Sequence, residues 1–304
     1  MVDMERLISP IRFSDIVTIT RMAYDNMNGN DRQFTKLMAN PLSRWTSYLA
    51  LPFYFLWAGK GYKYVQDGRI AGCAYLHLQP NSGYIFNVNV NRPYRRRGIA
   101  QQLMAKLERL TWGYGRRWAA LQVDTENLAA RNLYKKLGYR AYNSSYLRFE
   151  GSFLTEEIKK GTIQLERLSA YNGRRLFNRY LAHEIENGES VEAAVIDDYE
   201  QGNFGAGPYW RCVFEGHEIG SIRRKGAESG PLFYLAFDKS NWGQPSLPGI
   251  IEALISQIEG QFQRVDLVFG SSHHYLQAKE TLADYGFEER NHPRMLMFKK
   301  LLEE

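Results

Sequence analysis

The chain has 304 residues, 44% hydrophobic and 24% charged, with a formal net charge of +6. That length suits two domains of ordinary size, and the composition excludes a disordered, collagen-like or disulfide-stapled protein. Two cysteines, Cys73 and Cys212, give neither a disulfide framework nor a metal-binding spacing, so a reducing cytoplasm is the expected compartment.

Taken in order, residues 1–10 carry Asp3 and Glu5 and lack the apolar core of a signal peptide. Residues 11–28 predict a helix capped near Ser14 or Asp15, and residues 32–38 a second one. The aromatic stretch 47–57 contains Pro52, is too short to span a bilayer, and reads as buried packing; no membrane partner is expected. Residues 62–66, an Asp67-Gly68 turn and residues 70–79 predict a hairpin. A turn at 80–83 leads into a strand at 84–90, with β-branched and aromatic residues at alternate positions. Next comes Arg95-Arg96-Arg97-Gly98-Ile99-Ala100. A helix follows, with Ile99, Leu103, Met104, Leu107 and Leu110 on one face. Residues 118–123 predict another strand. Asp124-Thr125-Glu126-Asn127 then leads into a short helix, 128–137, which Gly138 ends.

A strand, a turn bearing Gly98 and Ala100, and a helix start bring several backbone N–H groups to one point. Small residues admit a ligand to that backbone, and the helix N-terminus favours negative charge. Arg95, Arg96 and Arg97 could be a solvated charge run. Beside Gly98-Ile99-Ala100 the phosphate reading is favoured, with Arg96 free to point to solvent. The pattern lacks the Gly-Lys-Ser/Thr ending of a nucleotide-hydrolase loop and the three glycines of a dinucleotide fingerprint.

Val88-x-Val90 followed by Arg95-x-x-Gly98-x-Ala100 resembles the acetyl-CoA motif of the GNAT N-acetyltransferase superfamily. Asn127-x-x-Ala130-x-x-Leu133-Tyr134-x-x-x-Gly138-Tyr139 resembles that family's second motif. The resemblance covers roughly the first 150 residues and implies an α+β fold, a mixed sheet flanked by helices, with acetyl-CoA as acyl donor and an amine as acceptor. It implies that Val88 and Val90 pair through their backbones with the pantetheine amides like an added strand. Residues Arg95 to Ala100 would hold the pyrophosphate. Asn127 would bond the pantetheine arm while also capping its helix. Tyr134, otherwise a core aromatic, would protonate the departing thiolate. Some relatives keep a glutamate base six residues before the position of Val90; here Tyr84 stands there. His77, expected opposite Phe86, and Asp124, Glu126 or a water chain remain candidate bases.

The second half repeats the first at a fixed offset. Gly72 matches Gly220, the strand at 84–90 matches 232–238, and residues 130–139 match 278–287. Residues 171–181 echo the first helix. The expected division is 1–152, the catalytic acetyl-CoA-binding domain, and 153–304, a degenerate GNAT-like domain, with the boundary near 151–161. At the offset of Arg95, Gly98 and Ala100 stand Gly243, Ser246 and Pro248, and Leu282 replaces Tyr134. Charge is also divided: residues 1–150 hold 22 Lys and Arg against 10 Asp and Glu, the rest 17 against 23. The basic half is assigned to polyanionic CoA rather than nucleic acid, because its arginines cluster in the CoA motif. No metal is expected, and the oligomeric state is left open.

Overall fold

The computed structural model describes residues 7–26, 59–142, 144–150, 163–184, 207–225, 232–238, 250, 264–270, 279–280, 282–290 and 294–302. The helix expected at 32–38, the stretch 47–57, the boundary region 151–161, and Gly243, Ser246 and Pro248 lie outside the described residues. The chain divides into two compact units, one of residues 1–123, 127–140 and 297–304, the other of 124–126 and 141–296.

The first unit is built on a mixed sheet. Its strands are β1 (Ile8–Pro10), β2 (Lys60–Gln66), β3 (Arg69–Leu78), β4 (Ser82–Val90), β5 (Trp118–Asp124) and β6 (Arg140–Tyr142). Strands β1 to β4 pair antiparallel in succession, and β4 pairs parallel with β5. Helix α1 (Ile16–Asn26) packs its Ile19 and Met22 on Cys73 and Tyr75 of β3. Helix α2 (Ile99–Gly113) buries Ile99, Leu103, Met104 and Leu107, a stripe at helical spacing worth roughly 1.5–3 kcal/mol per side chain. Gly83 of β4 leaves no room for a Cβ against Thr111 of α2, which is why the helix lies so close to the strand. Helix α3 (Leu128–Lys136) follows β5 and ends at Gly138, whose φ of 89° an L side chain rarely adopts.

The hairpin β3–β4 differs from expectation. His77 pairs with Tyr84, and Tyr75 pairs with Phe86. The cause is the turn: the Gln79 N–H donates to the Ser82 carbonyl at 2.8 Å, and Pro80 takes the second position of a four-residue turn. Ser82, buried and donating to Gln79 Oε1 at 3.0 Å, therefore belongs to the strand rather than the turn. Further along, the register slips between Cys73 and Tyr75, and Asn87 lies at φ 50°, a bulge in the middle of β4.

The second sheet contains β7 (Ser144–Glu150), β8 (Ile163–Leu168), β9 (Tyr209–Phe214), β10 (His217–Lys225), β11 (Leu232–Phe237), β12 (Arg264–Gly270) and β13 (Glu288–Glu289). Its order is β13-β7-β12-β11-β10-β9-β8. The first sheet, completed by β14 (Arg294–Lys300), runs β1-β2-β3-β4-β5-β14-β6. The two orders superimpose element by element, with a parallel β11–β12 pair where the first sheet has β4–β5. Helix α4 (Ala170–Glu184) lies where the repeat places a counterpart of α1. Each repeat thus gives its penultimate sheet position to a strand from the other. The linear division at residue 152 follows the repeat in sequence, whereas the compact units follow this exchange. Both folds are the tandem mixed sheets with flanking helices that the sequence predicts.

Candidate active site

Beyond Ile85, β4 has no partner on β5, because their pairing covers only Ser82 to Ile85 against Trp118 to Leu121. A cavity of about 370 Å³ opens in the first unit, lined by Val88 and Val90 on one side and by Asn127, Leu133 and Tyr134 on the other. At its mouth the chain makes a 3-10 turn at Arg92–Tyr94, then passes Arg96 at φ 65° and Gly98 at φ 77° into α2. Gly98 is the N-cap residue, and its carbonyl accepts from the Gln102 N–H at 3.0 Å. The first-turn N–H groups of a 15-residue helix therefore point toward the cavity mouth, a ready anion site.

Nine of the ten residues the sequence singles out line this one cavity: Val88, Val90, Arg95, Arg96, Gly98, Ile99, Ala100, Asn127 and Tyr134. The tenth, Arg97, is not in the lining; its guanidinium lies over the Tyr94 ring at 5.5 Å. Arg95 is also held, donating from Nε to the Val90 carbonyl at 3.2 Å and from Nη2 to Asn26 Oδ1 at 2.5 Å. Asn127 caps α3 as expected, its Oδ1 accepting from the Ala130 N–H at 3.1 Å.

Tyr134 is buried, and burial pushes its phenol up to about 12, so it keeps its proton at neutral pH. Its ring packs on Tyr139 at 6.0 Å between centroids. Tyr139 donates to Glu108 Oε1 at 3.0 Å, and Lys299 of β14 donates to Glu108 Oε2 at 2.7 Å. Burial, then the Glu108 charge, holds the Tyr139 phenol well above its ordinary range. The ring beneath Tyr134 is thus fixed by a partly buried ion pair.

The candidate bases are not in the lining. His77 is exposed on the hairpin, Glu126 is exposed, and Asp124 Oδ1 accepts from the Glu126 N–H at 2.9 Å. Tyr84 stacks on Phe86 at 5.9 Å. Cys73 and Cys212 are buried, and burial raises both thiols to about 12, which leaves them unreactive core residues. Ala130 and Leu133 of the second motif are also in the lining, whereas sequence reading missed Asn26, Asn89, Tyr94, Gln101 and Ala129. Four of these flank or fall inside the motifs and could have been found there. Asn26 arrives from the end of α1, and nothing in its sequence neighbourhood signals it. Among the described residues no cluster of His, Cys, Asp or Glu could hold a metal ion, and no helix is long and apolar enough to cross a membrane.

Residues 29–139 match the family model described as Acetyltransferase (GNAT) family. Over 96 residues the chain is 29% identical to the uncharacterized N-acetyltransferase YycN of Bacillus subtilis, covering 30% of this chain and 59% of that protein. Over 58 residues it is 43% identical to GCN5-related N-acetyltransferase 4, chloroplastic, of Arabidopsis thaliana, covering 19% of this chain and 20% of that protein. The chain thus spans less than two thirds of the curated relatives it matches. Among solved structures, a GCN5-related N-acetyltransferase from Kribbella flavida superimposes on 96% of this chain and 70% of its own, with a TM-score of 0.51 at 14% identity. A probable N-acyltransferase from Enterococcus faecalis V583 covers 97% of this chain and 72% of its own, with a TM-score of 0.50 at 12% identity. These two likenesses establish the fold across both units.

Proposed function

We propose, from the match of residues 29–139 to the GNAT acetyltransferase family model, that this chain is an acyltransferase that moves an acetyl group from acetyl-CoA to a primary amine of a small molecule or peptide. One observation carries the reading: nine motif residues from three separate stretches line a single cavity at the parted strands β4 and β5.

In this reading the pyrophosphate lies at the start of α2, against the N–H groups that follow Gly98 and near Arg95 and Arg96. Val88 and Val90 offer backbone groups to the pantetheine arm, and Asn127 bonds it from the opposite wall. A neutral amine attacks the thioester carbonyl, a C–N bond forms, and the carbonyl electron pair moves onto oxygen. When the carbonyl re-forms, the C–S bond breaks and its pair stays on sulfur, which takes the Tyr134 proton. Burial suits Tyr134 to this, because a phenol raised to about 12 is fully protonated before it donates. The amine's proton leaves through a water chain, since His77, Asp124 and Glu126 lie outside the cavity lining. The buried free thiols suit a reducing, cytoplasmic setting.

A second reading, a non-catalytic acyl-CoA sensor or scaffold, is favoured by one observation: among the described residues no carboxylate or histidine lines the cavity. Calorimetry with acetyl-CoA, followed by a screen of amines for acetyl-CoA consumption, separates the two. We expect one acetyl-CoA per chain and turnover with a primary amine. Binding without turnover on any amine class would leave the sensor; saturation at two per chain would show that the second repeat also binds.

A further inference from the structure

A line of side chains that the transfer reaction above does not use runs from the cavity wall, where Arg95, Asn26 and Asn89 stand, to Asn87 just behind the lining. Arg95 Nη2 donates to Asn26 Oδ1 at 2.5 Å. A guanidinium can only donate, so this contact fixes which way the Asn26 amide faces. Asn26 Nδ2 then donates to the Val90 carbonyl at 3.2 Å and reaches Asn89 Oδ1 at 3.5 Å. Asn89 Nδ2 in turn donates to Asn87 Oδ1. Every link runs in one direction, and the line ends at Asn87 Nδ2, a buried donor with no acceptor.

A buried donor without a partner is costly, and a catalytic role that supplies the missing oxygen in the bound state is one reason a native fold keeps one. Its position says which oxygen. Asn87 is the bulge residue of β4, and neither Asn87 nor Val88 has a register partner on β3 or β5. It sits next to Val88 in the chain and is bonded to Asn89, and both of those residues line the cavity where β4 and β5 part. An attacking amine must keep its lone pair free and offers this donor nothing to bind. The thioester carbonyl does offer an acceptor, and its oxygen gains negative charge as the amine adds.

We propose that the Asn87 carboxamide is a hydrogen-bond donor to the acyl carbonyl oxygen, acting beside the backbone N–H groups of β4. The relay Arg95–Asn26–Asn89 engages its Oδ1 as an acceptor and leaves Nδ2 to donate. The proposal rests on the acetyl-CoA reading of the cavity. It also joins two ends of one substrate, because the relay begins on an arginine at the phosphate end and finishes at the reacting carbonyl. Asparagine suits both tasks of the position, since it tolerates φ 50° better than most residues and carries a donor.

The test needs no acceptor amine. The infrared carbonyl band of [1-13C]acetyl-CoA is recorded bound to the native chain, to Asn87→Gly, which keeps the left-handed backbone, and to Asn87→Asp, which keeps size but removes the donor. Calorimetry with acetyl-CoA and with free CoA runs alongside. We expect the native band at lower frequency than in either variant, with CoA affinity within a few-fold of native. Asn26→Ala, which frees the relay upstream, should move the band part of the way. An identical band in native and Asn87→Gly chains overturns the proposal. So does equal loss of acetyl-CoA and CoA binding in the variants, which would make Asn87 a shaper of backbone alone. A native chain that binds neither molecule overturns the cavity's reading itself, a result distinct from both.

Discussion

The two units carry the same turn on different chemistry. After α3, Gly138 sits at φ 89°, and the Tyr139 N–H bonds the Tyr134 carbonyl at 3.0 Å. In the second unit Gly286 sits at φ 82°, and the Phe287 N–H bonds the Leu282 carbonyl at 3.0 Å. The backbone repeats, while phenols become apolar groups: Leu282 for Tyr134 and Phe287 for Tyr139. Each glycine faces the strand received in exchange, Gly138 meeting Lys299 of β14 and Gly286 meeting Phe149 of β7. Where the first unit sets Lys299, Glu108 and Tyr139 behind Tyr134, the second sets Phe149 against Phe287 at 5.5 Å. The second copy thus keeps the turn geometry without the phenol proposed as proton donor, so geometry alone does not mark the copy proposed to work.

The exchange is written into side chains. Phe298 of β14 packs edge-on against Trp118 at 5.9 Å; in β7 the equivalent place belongs to Arg148, whose Nε is paired with buried Asp266 at 2.9 Å. Folding β7 back into the first sheet would set Arg148 against Trp118 and Phe149 against Glu108. A fragment of residues 1–152 should therefore fail to fold. Losing Met297 and Phe298 alone costs on the order of 5–10 kcal/mol, comparable with the whole stability of a domain. Circular dichroism checks this, and the same fragment carrying Arg148→Phe and Phe149→Lys should recover structure. A native-like unsubstituted fragment would show that the strands are interchangeable.

Gly98→Val should weaken acetyl-CoA binding on the order of 10²-fold or more, because a β-branched residue resists φ 77° and crowds the phosphate site. Ser246, its counterpart by offset, should tolerate Val with no change in calorimetry. Tyr134→Phe keeps the ring on Tyr139 and should lower kcat on the order of 10²-fold, with acetyl-CoA affinity little changed; Leu282→Phe should leave kcat alone. Equal kcat in Tyr134→Phe and native protein, measured where chemistry limits the rate, would make Tyr134 a packing residue like Leu282.

The smallest expected effect is alkaline. Burial raises the Tyr134 phenol from 10 to about 12, so its contribution to stability is complete below pH 10 and is lost as pH rises toward 12. The loss amounts to roughly 2–3 kcal/mol. Denaturant titrations from pH 9 to 12 should show a shallower fall in Tyr134→Phe than in the native chain.

Much of the site was legible because its residues fall in short motifs on single elements. Gly98, Ala100 and Asn127 act through local backbone, which neighbouring sequence fixes. The duplication was legible too, since a glycine at positive φ recurs with its turn. The strand exchange was not. Alternation of apolar residues fixes which face of β14 is buried, whereas the sheet that receives it is decided by partners such as Trp118 and Glu108, far away in the chain. The hairpin register was misplaced by two residues because Ser82, a usual turn former, is bonded to Gln79 inside the fold. Asn87 gave no signal either, since an asparagine at a bulge reads like any other polar residue in a strand.

The Glu108–Lys299 contact closes a loop of 191 residues, and that span has a consequence for how the protein is made. Loop closure of this length slows folding, and the slot between β5 and β6 stays open until β14 leaves the ribosome. At about 5–20 residues per second, the wait after residue 142 lasts on the order of ten seconds. During that interval the half with the cavity waits on the synthesis of the half that lacks the motif. A message cut short before β14 would leave the first sheet without its sixth strand. Emergence of β14 and closure of the first sheet are thereby made a single event.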